Sequence, residues 1–483
     1  MMEKINVFAL KKNITEYPKN INPSRRYPEY KLKEMSKENK VYNSVRDLLY
    51  NMGLDKNRYG TSKWNPLGNL IKPGQTVVIK PNLVDDFNPI ENDMKALVTN
   101  GSIIRAIVDY CYIALKGKGK LVIGDAPLQK ANFDRIKEFN KLDEIKNLYK
   151  KEKDFNIEIL DFRKEICERN NPLNKIYQKG DPKGYTIIDL KKNSFHNDED
   201  IDYKRYRVTD YNPNLMIKCH NKNHHKYLIS NTILSADVII NLPKLKTHRK
   251  AGMTCALKNL VGINCLKDYL PHHKKGSKKE KGDEYLYKDF NKMSQSSLLD
   301  IKNRTNPNKK IKLMLINWIM RINQKIIKLK EKDSFFEGSW YGNDTIWRTI
   351  LDLNRILLYV NKKRIMTNKK QRKMFILVDG IIAGEKEAPL EPTSKKCGLL
   401  LAGFNPVSID YVASAFMGFD YLKIPQIKNA FDIARYPLIN LKQDNIQINL
   451  NGKKIKIKEI KKNNFAFIPA KGWEASLYFK RKP

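Results

Sequence analysis

Between residues 75 and 124 the chain changes its hydrophobic period twice. Residues 75–80 read QTVVIK, a β-branched run closed by Pro81-Asn82. Residues 102–115 then place Ile104, Ile107, Val108, Cys111 and Leu115 on one face at helical spacing. Residues 120–124 (KLVIG) return to an apolar run that stops at Asp125. Strand, helix, strand in this order is the rhythm of a parallel α/β unit. Further strands are expected at 157–161 and 186–190. The run ADVIINL, 236–242, is the most apolar of all and is expected at the centre of a sheet.

The same rhythm returns after residue 370. A strand is expected at 373–378, ending at Asp379-Gly380, then another at 398–402 and a helix over Pro406–Met417. Alternating Ile446, Ile448 and Leu450, followed by Ile455 and Ile457 around Asn451-Gly452, predict a hairpin with a type I′ turn. Helices are expected near 41–51, 312–329 and 344–361. The basic segment 270–287 has almost no apolar content and reads as a mobile surface loop or a lid. The expected architecture is α/β, with mostly parallel or mixed sheets flanked by helices in two lobes. Its parts are a polar N-terminal extension (1–70), a first α/β lobe (71–266), a basic loop and helical insertion (267–370), a second α/β segment (371–445), and a C-terminal β-hairpin and tail (446–483).

Composition narrows the function classes. Hydrophobic residues make up 41% of the 483, enough to build a core rather than a disordered chain. The stretch from Met1 to Thr15 has no sustained apolar core of a secretory signal. The longest apolar run, 311–322, is broken by Lys312, Asn317 and Arg321 and reads as a buried or amphipathic helix, not a span. The six cysteines are scattered, which excludes a ferredoxin-type cluster and a paired-CxxC zinc site and fits a cytoplasmic protein. The net charge of +40 has two readings. One is a polyanionic partner such as nucleic acid, a membrane surface or an acidic glycan. The other, favoured here, is a compositional bias, because Lys far outnumbers Arg and no helix-turn-helix, zinc finger or aromatic RNA-binding strand is present.

Candidate chemistry concentrates between Asn241 and Gly262. In NLPKLKTH, Lys244, Lys246 and His248 share a face if the strand continues past Pro243. In AGMTCALKNLVG, Cys255, Lys258, Asn259 and Gly262 fall on one helical face whose N-terminus faces the same place. Asp125, Asp379 and Asp410, with Glu385, follow strand ends or open a helix, where a carboxylate binds metal, acts as a base or caps a turn. His220, His224 and His225 could hold a metal, but no second ligand set of matching spacing exists and they read as a solvated polar loop; His272 and His273 in the basic segment also read as solvated. No phosphate-loop, dinucleotide-binding, zincin or α/β-hydrolase motif occurs.

Seven fragments in order carry a family resemblance: VVIKPNLV (77–84), LVIGDAP (121–127), DVIINLPKLKTH (237–248), ALKNLVGIN (256–264), GNDTIWRTILDLNRIL (342–357), VDGIIAGE (378–385) and AGFNPVSIDYVASAFMGF (402–419). Together they resemble the bacterial and archaeal family called domain of unknown function 362, from about Thr76 to Asp420. The family is uncharacterised as a class. Many of its members carry or neighbour a ferredoxin-like 4Fe–4S segment, from which this chain departs because its cysteines cannot form the motif. The GNDTIWRT form resembles a subgroup found beside surface-glycan biosynthesis functions. Positions shared with the family include Lys80, Asn82, Asp125, Lys244, Lys246, His248, Lys258, Asn259, Gly262, Asp379, Gly380 and Asp410.

The expectation is an enzyme acting on a small anionic substrate, phosphorylated, carboxylated or a sugar nucleotide. Lys80, Asn82, Lys244, Lys246, Lys258 and Asn259 would bind it, with Trp347 and Arg348 completing the pocket. His248 would move a proton, with Asp379 or Glu385 as second base. A divalent metal is the candidate cofactor, with Asp125, Asp379 and Asp410 as ligands. The alternatives are a non-catalytic polyanion-binding protein, for nucleic acid or acidic glycan, and, by family analogy, an electron-transfer component.

Overall fold

The computed structural model describes residues 5–36, 39–169, 171–329 and 335–479. The first four residues of the stretch from Met1 to Thr15 lie outside them. One eleven-stranded mixed sheet organises the molecule, with three smaller sheets around it. Its strands are β1 (Ile5–Lys11), β2 (Thr76–Pro81), β3 (Gly119–Asp125), β4 (Phe155–Asp161), β5 (Val238–Leu242), β6 (Lys244–His248), β7 (Gly252–Thr254), β8 (Lys373–Glu387), β9 (Glu391–Gly403), β10 (Ile446–Leu450) and β11 (Lys453–Ile455). The path runs β11-β10-β1-β9-β8-β5-β2-β3-β4, with β6 and β7 branching beside β8.

The block β8-β5-β2-β3-β4 is parallel throughout. Within it β5 lies between β8 and β2, and all five of its residues are buried, as a two-sided parallel strand requires. The N-terminal segment, read as a polar extension, contributes β1, which pairs parallel with β10 and antiparallel with β9. The two α/β stretches read as separate lobes share this sheet, because β5 pairs with β2 on one side and β8 on the other. The hairpin turn at Asn451-Gly452 has positive φ at both residues, 51° and 84°, the type I′ signature. Residues 186–189 fall in a strand, Tyr185–Asp189, of a separate three-stranded sheet, and Leu190 follows it.

Six longer helices among the described residues frame the sheet and its insertion: α1 (Lys40–Asn51), α2 (Gly101–Leu115), α3 (Phe290–Arg304), α4 (Lys310–Leu329), α5 (Ile346–Tyr359) and α6 (Pro406–Met417). Two apolar cores, one on each face, are drawn from alternate residues of the same strands: Val78, Val122 and Ile239 on one side, Val77, Ile79, Leu121 and Ile240 on the other.

The basic segment 270–287 is packed rather than mobile. His273–Lys274 pairs with Tyr206–Arg207, Ser277 and Glu280 form a capping box, and Asp283, Glu284 and Tyr285 are buried. Carboxylates supplied from elsewhere hold its lysines: Lys275 meets Asp300 at 2.8 Å and Lys274 meets Asp344 at 3.1 Å. His220 and His225, expected in solvent, are fully buried against His196, with ring centroids 5.5–6.0 Å apart.

Candidate functional site

Chain direction sets the site. From β2 the chain moves outward through β3 and β4, then returns to β5 on the other side of β2 and continues to β8. Connections therefore diverge at the β2/β5 boundary, and a crevice opens at the carboxyl ends of the strands at such a point. A cavity of about 240 Å³ lies there. Asn82 after β2, Asp125 at the end of β3, His248 at the end of β6, and Lys258 and Asn259 from the short helix Ala256–Asn259 all line it.

The floor is a buried polar network. Lys80 Nζ meets Asp125 Oδ1 at 2.7 Å and donates to the Pro81 carbonyl at 2.8 Å. Asp125 Oδ2 also accepts from the Leu83 N–H at 2.7 Å. Asn259 Nδ2 donates to the Lys80 carbonyl and to Asn241 Oδ1, while its Oδ1 accepts from Asn82 Nδ2. That leaves Asn82 Oδ1 without a donor among the described residues. Gly262 closes over this floor. A Cβ there would stand 2.1 Å from Asp125 Oδ1 and 2.9 Å from Lys80 Nζ, so only glycine admits this approach.

Three lysines face the cavity above it. Lys267 Nζ donates to the Ala126 carbonyl at 2.9 Å, and Lys250 Nζ reaches the Glu337 carbonyl and Thr209. Lys258 Nζ makes no hydrogen bond or ion pair to any described residue. Burial pushes all three amines down, to about 7 for Lys258 and about 8 for Lys250 and Lys267. For Lys258 the neighbouring charges of Lys267, Lys80 and Lys250 add to the effect.

Two histidines complete the wall with opposite tautomers. His248 Nδ1 accepts from the N–H groups of Lys250 and Ala251, both at 3.1 Å, so its proton sits on Nε2. His272 Nδ1 lies 2.6 Å from the Leu270 carbonyl, which can only accept, so its Nε2 carries the lone pair. Burial holds both rings neutral, far below the usual imidazole range. Asn343 fixes the second ring's backbone by donating to the His272 carbonyl at 2.9 Å, and Thr349 donates to the Pro271 carbonyl at 2.8 Å.

The remaining expected residues lie elsewhere. Lys244 and Asp379 are fully buried together, 3.1 Å apart, with Tyr17 donating to Asp379 at 2.5 Å. Asp379 also accepts from the Asn100 N–H ahead of α2. Lys246 is buried on the Leu97 carbonyl, behind the cavity wall. A bulge in the β6–β8 pairing between Lys244 and Lys246 breaks the regular spacing. Glu385 is tied to Lys395 and the Ile468 N–H. Trp347 and Arg348 hydrogen-bond to Asp344, and Arg348 also holds the Phe195 carbonyl. Asp410 accepts from the Ala256 and Leu257 N–H groups and caps their helix. Asp125, Asp379 and Asp410 thus serve three separate networks, and among the described residues no three His, Cys, Asp or Glu side chains are grouped to hold a metal. Lys250, Lys267 and His272 were not singled out by spacing. Their only sequence signal is nearness to Lys258 and His248, lost in a lysine-rich background.

Residues 199–415 match the family model described as a domain of unknown function (DUF362). The chain carries a domain of this family. The DUF362 domain supplies His248, Lys250, Lys258, Lys267 and His272, while Lys80, Asn82 and Asp125 come from residues ahead of it. A thylakoid-associated protein from Synechocystis sp. is 23% identical over 196 residues, which is 41% of this chain and 41% of that relative. A Thermotoga maritima protein of known crystal structure aligns over 73% of this chain and 54% of its own, at 10% identity and a TM-score of 0.28. A lactate racemase apoprotein from Thermoanaerobacterium thermosaccharolyticum aligns over 73% and 51%, at 12% identity and a TM-score of 0.25. At these scores neither structure bears on the chemistry.

Proposed function

We propose that the cavity binds a small anionic substrate and that the protein is an enzyme transferring a proton there between His248 and His272. The observation that carries this is Lys258, a half-buried lysine lining the cavity beside Lys250 and Lys267, with the floor carboxylate of Asp125 already paired to Lys80. A recessed site with surplus cations is complementary to a phosphate or carboxylate. The volume of about 240 Å³ favours a metabolite over a polymer. An Nε2–H on one ring and an Nε2 lone pair on the other supply an acid and a base to the same ligand without a prior proton transfer. Asn82 Oδ1 offers an acceptor to a substrate hydroxyl or amine.

Calorimetric titration with inorganic phosphate and pyrophosphate tests the anion site, alongside mass spectrometry of small molecules released on denaturing the purified protein. The expected result is saturable binding that Lys258→Ala weakens at least about tenfold, the loss of one desolvated charge contact. Equal binding by wild type and Lys258→Ala, or none by either with no co-purifying anion, would overturn the reading.

A further inference from the structure

The helix α4 has two opposite apolar faces, and only one is covered. Its inner stripe, Leu313, Ile316, Met320 and Ile327, is buried, and Ile316 and Met320 pack on Leu298 and Leu299 of α3. At about 100° per residue the other stripe points away from this contact. It carries Ile311, Leu315, Trp318, Ile322, Ile326 and Leu329, all exposed, with Ile311 at 81%, Trp318 at 60% and Leu329 at 80%. Over 20 residues the stripe runs about 30 Å, far more than scattered surface apolar residues account for.

Charge identifies what covers it. The segment Lys310–Leu329 holds no Asp or Glu. Lys310, Arg321, Lys325 and Lys328 fall together along one flank of the exposed stripe, and Lys312 along the other. An apolar face bordered by cations, with a tryptophan at its centre, is the composition of a helix that lies in a lipid–water interface. No described helix is long and apolar enough to cross a membrane, so the fit is to the surface. A second copy of the chain fits less well. The 4-3-4 spacing of Ile311, Leu315, Trp318 and Ile322 resembles a two-stranded seam, but its next position is Lys325, and two such helices would set like charges against one another.

We propose that the exposed face of α4 docks this protein on an anionic membrane surface, apolar side chains entering the headgroup region and the flanking lysines meeting acidic lipid. Phosphatidylcholine vesicles with and without phosphatidylglycerol test it by flotation with the full chain. Binding to the anionic vesicles is expected at least about tenfold tighter than to neutral ones, and weaker as salt is raised. Trp318 emission should shift to the blue and be quenched by brominated acyl chains, a signal that Trp318→Phe removes. The double variant Leu315→Glu, Ile322→Glu alters exposed positions only, so it should keep the wild-type circular dichroism and lose the binding. Absence of binding to anionic vesicles, binding unchanged in the double variant, or a dimer in sedimentation that the double variant dissolves would each overturn the proposal. The last would place a second copy on the face.

Discussion

Lys258 is the side chain whose behaviour most depends on what fills the cavity. Burial holds its amine at about 7, and Lys250 and Lys267 at about 8. An anion favours the charged forms, so phosphate binding above pH 7 should take up protons, and affinity should fall as pH rises through 7 and 8, by up to about tenfold per unit for each lysine coupled. Calorimetry in buffers of different ionisation enthalpy reads that uptake directly. In the ligand-free protein, long-range nitrogen–proton spectra should show neutral His248 protonated on Nε2 and neutral His272 protonated on Nδ1. At Gly262, alanine would force a Cβ into the Asp125–Lys80 pair, and denaturant titration should show a loss of about 1–3 kcal/mol. Lys80, Asn82, His248, Lys258 and Asn259 were legible because each follows a recognisable strand or starts a helical face. Lys244 and Lys246 misled for the same reason. Spacing predicts a shared face, whereas a bulge and the buried partners Asp379 and Leu97 set how deep each amine sits.

At the scale of elements, the GNDTIWRT sequence positions rather than binds. Asn343 donates to the His272 and Gly338 carbonyls, both at 2.9 Å, so the start of α5 fixes a wall built some 70 residues earlier. Asn343→Ala should cost about 1–3 kcal/mol in denaturant, the penalty for stranding two buried carbonyls, and should broaden the His272 resonances while leaving those of His248 sharp. The individual strands and helices around the site were readable from period alone: residues 75–80, 102–115 and 120–124 became β2, α2 and β3 with one-residue shifts at their ends. The segment 270–287 was not. Its order comes from Asp300 and Asp344, brought in by other elements, and no local pattern announces a partner that distant.

For the molecule as a whole, acid is the expected weakness. Burial lowers the imidazoles of His196 and His225 and takes His220 down to about 3. A depressed folded value means that the unfolded chain binds more protons below the ordinary 6.5. Stability is therefore fully present above that value and is lost as pH falls toward 3. Denaturation midpoints should drop between pH 7 and pH 5, and His220→Phe should flatten the slope. The α/β class was legible from sequence, but one continuous sheet was not, because β1 finds its neighbours only in β9 and β10. That pairing has a cost in time. The Lys11 N–H bonds to Asn451 Oδ1 across 440 residues, so a ribosome must run for roughly 20 to 90 s after β1 emerges before its last partner exists. Until β9 and then β10 are made, the nascent chain holds an apolar strand, with Val7 and Ala9 destined for the core, whose edges lack their native partners. Such a chain should depend on holding chaperones in the cell, and a circular permutant joining the hairpin to β1 should shed that dependence.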